Sequence, residues 1–191
     1  MVGGTDTTAT IGEWVLTELM QHPEEMIRVQ EELTQIVGLN NLVEEFHLPK
    51  LHHLDAVIKE TFRLHPPVPL LVPRRSTIFL NAWAIHRDPS VWDDPLEFRP
   101  QRFLNPSNSF DYQGNKFQFL PFGSGRRICA GIPLAERMMF YVLASFLHSF
   151  DWKLPNDKKL DVSDKFGIVT KKNTPLIAVP TPRLSNLELY A

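Results

Sequence analysis

The sequence predicts a mostly α-helical fold with minor β structure. Three observations carry this. Apolar residues recur at helical spacing over residues 9–20, 51–64 and 130–149. Strand-like runs are short, at residues 68–80 and in the tail near 149–153 and 175–180. Sixteen prolines gather in a few short runs, so they punctuate ordered segments.

In residues 9–20 the apolar set is Ile11, Val15, Leu16 and Leu19. A second helix begins at Pro23, with Glu24 and Glu25 in its first turn, and carries Met26, Val29, Leu33 and Ile36–Val37 on one face. Gly38 is its stop, and residues 39–50 read as loop. The helix at 51–64 places Leu51, Leu54, Val57–Ile58 and Phe62 on one side, and His65-Pro66-Pro67 ends it. Residues 81–87 read as a short helical turn. Residues 93–125 hold many Pro, Asn, Gly and aromatic residues without a period, and a loop that long is usually functional. The helix at 130–149 repeats Leu134, Met138, Tyr141–Val142 and Phe146.

Composition bounds the function. The chain has 191 residues, enough for one domain with a core, and a net charge of −2 that gives no electrostatic case for nucleic acid. A single cysteine excludes an internal disulfide. No apolar run approaches the ~20 residues that span a bilayer, and the opening M-V-G-G-T-D-T-T has no leader character. That opening reads as the middle of a helix.

Cys129 alone reads as a small buried hydrophobe in a Gly-rich turn. Its neighbours suggest more. F-G-S-G-R-R-I-C-A-G at 122–131 fits F-x-x-G-x-R-x-C-x-G through Phe122, Gly125, Arg127, Cys129 and Gly131. This resembles the haem-binding signature of the cytochrome P450 family. The resemblance implies that Cys129 is the axial thiolate ligand of the iron of haem b. A following helix start would favour the negative sulfur, and thiolate ligation favours O–O cleavage. Gly123, Gly125 and Gly131 would permit unusual backbone angles, Arg127 would pair with a haem propionate, and Phe122 would shield the ligand. The rival chemistry is a cysteine nucleophile with a histidine base. Seven histidines are present, none in a recognised pairing with Cys129.

Two further motifs resemble the same family. Glu60 and Arg63 sit three apart on a helix, a spacing common on solvated faces, within K-E-T-F-R-L-H-P-P. The resemblance implies a buried network of Glu60, Arg63 and Arg102, the last in P-Q-R-F, with Gln101 where an acidic residue is usual. Gly3-Gly4-Thr5-Asp6-Thr7-Thr8 resembles the family's oxygen-activation helix. Its rival reading is a helix start capped by Thr or Asp. On the family reading, Asp6 and Thr7 are catalytic and relay protons during oxygen activation. Arg74, with Arg75 as alternative, resembles a second propionate-binding arginine. His52-His53 suggests a metal pair only superficially and reads as solvated histidines.

The resemblance covers essentially all 191 residues, as one partial domain with the order of the family's carboxy-terminal part, and N-A-W-A-I-H-R-D-P at 81–89 resembles the plant microsomal branch. It implies a haem-dependent monooxygenase acting on a small hydrophobic substrate with O2 and an NADPH-dependent reductase. Such relatives are anchored to the endoplasmic reticulum membrane, facing the cytosol, through an anchor absent here. The alternative is a truncated, catalytically inactive fragment. One internal departure follows Ser76: the family's small hairpin is missing, and the chain runs directly to Asn81. Unpartnered apolar faces are expected on the helices at 9–20 and 130–149, with poor solubility or association as the consequence.

Overall fold

A computed structural model describes residues 2–71, 79–105, 110–155 and 158–190. Four long helices form the core: α1 (Val2–Gln21), α2 (Pro23–Ile36), α3 (His52–Leu64) and α5 (Ile132–Ser149). A single turn, α4 (Ala82–Ile85), lies between α3 and α5 in the chain, with the Asn81 side chain accepting the Ala84 amide.

The periodic residues explain the packing. Trp14, Val15 and Leu19 of α1, Val29 and Leu33 of α2, and Leu54, Val57 and Ile58 of α3 are fully buried. The aliphatic ones among them meet Leu143, Ala144 and Leu147 of α5 in one cluster. Each such aliphatic side chain contributes about 1.5–3 kcal/mol by leaving water.

α5 departs from expectation. Its buried face is Ile132, Met139, Phe140, Leu143, Ala144 and Leu147, whereas the spaced residues Leu134, Met138, Tyr141, Val142 and Phe146 are exposed. Both faces are apolar, so spacing alone could not say which one the core takes. Leu134 and Met138 of α5 are left exposed, whereas Phe146 on the same face packs on Trp152 at 5.9 Å. The expectation of an unpartnered face fails for α1, whose Ile11, Val15 and Leu19 are buried against the other helices.

The segment read as loop before α3 contains a 3-10 turn at Glu45–Lys50. Glu44 and His47 close it reciprocally, the His47 Nδ1 accepting the Glu44 amide at 2.9 Å.

Three two-stranded antiparallel pairs complete the fold: β1 (Leu70–Leu71) with β2 (Leu80–Asn81), β3 (Phe150–Lys153) with β6 (Val179–Pro182), and β4 (Asp164–Lys165) with β5 (Lys171–Lys172). Pro180 and Pro182 sit in β6, where a two-stranded ribbon leaves one edge free of ladder bonds. The β4–β5 ribbon has little apolar alternation and gave no sequence signal. No helix among the described residues is long and apolar enough to cross a membrane.

Candidate haem-thiolate site

The site is built around the loop that enters α5. Cys129 lies three residues before that helix, and its side chain is exposed. Its amide donates to the Phe122 carbonyl at 3.0 Å, which closes the loop into a knuckle. Gly123 (φ 77°) and Gly125 (φ 65°) turn the backbone through the left-handed region. A Cβ on Gly131 would stand 3.7 Å from the Cys129 sulfur, and one on Gly125 would meet nothing within 4 Å. The thiol therefore opens onto free space beside a compact backbone.

Phe122 packs onto the aromatic cluster beneath the loop. Its ring lies 5.2 Å from Phe62 of α3 and 5.6 Å from Tyr112, edge to face with the latter. Arg126 and Arg127 are both exposed, and neither makes an ion pair among the described residues.

Gly114 is a residue that sequence reasoning missed. Its φ is 67°, and a Cβ there would come within 2.9 Å of the Ser124 Cα and closer still to the Gly123 carbonyl oxygen. The Ser124 hydroxyl donates to the Gly114 carbonyl at 2.7 Å. Residues 111–114 thus brace the outside of the cysteine loop. The only sequence signal was an isolated glycine in a polar stretch.

Below the loop, α3 supplies a charged pair that is wholly buried. Arg63 Nε and Nη2 donate to the two oxygens of Glu60 at 2.7 and 2.8 Å. Its remaining donors go to the carbonyls of His86, Pro95 and Glu97 at 2.9, 2.7 and 3.0 Å. All five N–H groups of this arginine are used. Glu60 also accepts the Arg99 amide at 2.8 Å and Arg102 Nε at 3.3 Å. Arg102 is in turn held by the carbonyls of Asp93 and Asp94. Trp92 lies over the Arg63 guanidinium at 5.3 Å. The structure thus brings Glu60, Arg63 and Arg102 together. Gln101 turns away to donate to Glu25 at 2.8 Å.

In α1 the helix runs unbroken from Val2 through Gly4 to Gln21, so Asp6 and Thr7 stand inside it and not at its cap. A Cβ on Gly4 would meet nothing within 4 Å. Asp6 is ion-paired with Lys171 of β5 at 3.0 Å. Thr8 bonds back to the Gly4 carbonyl at 3.2 Å. Arg74 and Arg75 lie outside the described residues.

The histidine pair at the start of α3 separates as adjacent helical residues must. His52 is exposed, but His53 is not solvated: its Nε2 lies 2.8 Å from the buried Glu25 carboxylate. No group of three metal-ligating side chains occurs among the described residues. A cleft of about 530 Å³ between α3, α5 and the 3-10 turn is lined by the charged Asp55, Lys59 and Glu136, and Cys129 takes no part in it.

Comparison with known proteins decides the family. The sequence model of the family described as "Cytochrome P450" matches residues 1–78 and 75–179. The chain belongs to the cytochrome P450 family. Among plant P450 relatives, it is 45% identical to "Cytochrome P450 76C1" of Arabidopsis thaliana over 202 residues, covering 96% of this chain and 39% of the relative. It is 47% identical to the geraniol 8-hydroxylase of Swertia mussotii over 199 residues, covering 95% and 40%. A zebra fish P450 solved with abiraterone superposes with a TM-score of 0.82 at 34% identity, over 95% of this chain and 45% of that one.

The chain thus spans about two fifths of the length of these curated P450 relatives. The family match breaks into two segments at residues 75–78, where the P450 hairpin was expected to be missing. The aligned span of 202 residues also exceeds the chain's 191, so the relative carries residues inside the matched region that this chain lacks.

Proposed function

We propose that this chain is the haem-thiolate portion of a P450 monooxygenase, holding the iron of haem b through Cys129. The observation that carries the proposal is an exposed thiol on a doubly turned glycine loop, with open space on one side and a braced aromatic floor on the other. The residues fit the group. A flat macrocycle needs an approach free of Cβ atoms, which Gly125 and Gly131 leave. The exposed cation Arg127 suits a propionate, and Arg74 is proposed as the second. When bound, haem with a thiolate ligand supplies O2 activation.

The chain's own residues do the rest. Phe122 shields the sulfur from one side. Glu60, Arg63 and Arg102 fix the floor on which the loop sits. Asp6 and Thr7, adjacent in α1, would hold and move protons, with Lys171 orienting the Asp6 carboxylate. Small hydrophobic molecules are the substrate class, with O2 and electrons from an NADPH-dependent reductase. The geraniol 8-hydroxylase relative supports this reading. Attachment to the endoplasmic reticulum membrane, by an anchor outside these residues, is the corresponding location.

A second reading is favoured by one observation. The apolar face of α5 leaves Leu134 and Met138 exposed. Together with the two-fifths coverage, it favours a chain that is inactive unless the rest of a P450 fold is supplied. The test is to add haemin, reduce, admit carbon monoxide and record the difference spectrum. A red-shifted Soret band lost in Cys129→Ala supports thiolate binding, and the same band in both proteins overturns it. Hydroxylation assays on the loaded chain, with and without the missing portion in trans, separate the two readings.

A further inference from the structure

We propose that His86 is a positioning residue for Cys129, its ring accepting the Leu120 amide and so tying the cysteine loop to the Glu60–Arg63 network. The proposal rests on the thiolate reading of Cys129.

The connection is continuous. Arg63, locked on Glu60, donates to the His86 carbonyl at 2.9 Å. The His86 ring is fully buried, and its Nε2 accepts the Leu120 N–H at 2.8 Å. The Leu120 carbonyl accepts the Gly123 amide at 3.2 Å, and Phe122 accepts the Cys129 amide at 3.0 Å. Four hydrogen bonds therefore run from the ion pair to the residue that bears the sulfur. Phe119, also fully buried, packs its ring 5.6 Å from His86 and holds the imidazole in register.

The chemistry suits a fixed acceptor. An Nε2 that accepts an amide is unprotonated, which places the ring proton on Nδ1. Burial lowers the His86 pKa to about 3, with Arg63 and Arg87 adding to the effect, so the acceptor persists across ordinary pH. Leu120 is buried and has no strand or helix to take its amide, so removing the imidazole leaves a buried donor unsatisfied.

The test uses the 191-residue chain. Hydrogen exchange of the Leu120 amide is read without haem, with the Val37 amide, which caps α2 by donating to the Leu33 carbonyl, as reference. The haem-loaded chain is then read as the ratio of red-shifted to unshifted carbon monoxide bands. His86→Leu removes the acceptor, whereas His86→Gln returns one near Nε2. Leu120 is expected to exchange at least about tenfold faster in the leucine variant, relative to Val37. The glutamine variant is expected to recover protection and the red-shifted fraction together. The proposal is overturned if Leu120 exchanges at the wild-type rate in His86→Leu. It is equally overturned if His86→Gln is no better than His86→Leu. Loss of the red-shifted band in every protein, with exchange behaving as expected, would count against the thiolate reading and leave the His86 tie standing.

Discussion

Replacing Gly114 with alanine tests how tightly the cysteine loop is braced. The new methyl group would stand 2.9 Å from the Ser124 Cα and nearer to the Gly123 carbonyl oxygen. Both are backbone, so no side chain can swing away to make room. The residue must also hold φ at +67°, which costs an L-residue about 1–2 kcal/mol. Overpacking adds about 1–3 kcal/mol. A loss of about 2–5 kcal/mol is expected against a total stability of about 5–15 kcal/mol. In urea this lowers the unfolding midpoint by roughly 0.7–2.5 M, at the slope of about 2–3 kcal/mol per M that suits a chain of this size. The strain falls on the loop, so trypsin should cut Arg126 and Arg127 faster than other arginines. Gly12 in α1 is the control: its Cβ would meet nothing within 4 Å, and alanine should stabilise the helix by up to about 1 kcal/mol. A Gly114→Ala chain as stable as wild type, with unchanged cleavage at the loop, would refute the brace.

Other perturbations follow from the same geometry. Glu60→Ala strips the buried Arg63 of its carboxylate and should cost about 3–5 kcal/mol by urea titration, more than Lys171→Ala at the exposed Asp6 pair, which should cost under about 1 kcal/mol. Acid should weaken the fold through His86. The unfolded histidine takes a proton below about pH 6.5, whereas the folded one stays neutral to about pH 3, so stability falls as pH drops through that window. By pH 5 the loss is about 2 kcal/mol, and His86→Gln should flatten that part of the stability–pH curve. Leu134→Gln with Met138→Gln on the open face of α5 should raise solubility in sedimentation assays while leaving the stability from urea titration within about 0.5 kcal/mol.

Much of this was legible in the sequence because local rules and tertiary packing agreed. In α3 the apolar face, the Pro-Pro stop and the Glu60–Arg63 spacing all point to one helix, and the structure has it at His52–Leu64. The turns around Cys129 were legible as glycines. What was hidden depends on distant partners. Gly114 matters because Gly123 and Ser124 press on it, ten residues away. His53 is drawn out of solvent by Glu25, which belongs to another helix. His86 looked like one of seven histidines until Leu120 was placed on its ring. In α5, apolar residues on both faces left the choice of core side to the neighbouring helices. The β4–β5 ribbon is held by Lys172, whose ammonium reaches the Asp161 carbonyl and lies 4.6 Å over Trp14, and no alternation announces it.

The central claim is the iron–sulfur bond at Cys129, and X-ray absorption at the iron edge of the haemin-loaded chain tests it most directly. One sulfur scatterer in the first coordination shell, absent in Cys129→Ala, is the expected result. A shell of nitrogen and oxygen alone, or a sulfur signal that survives Cys129→Ala, would contradict it.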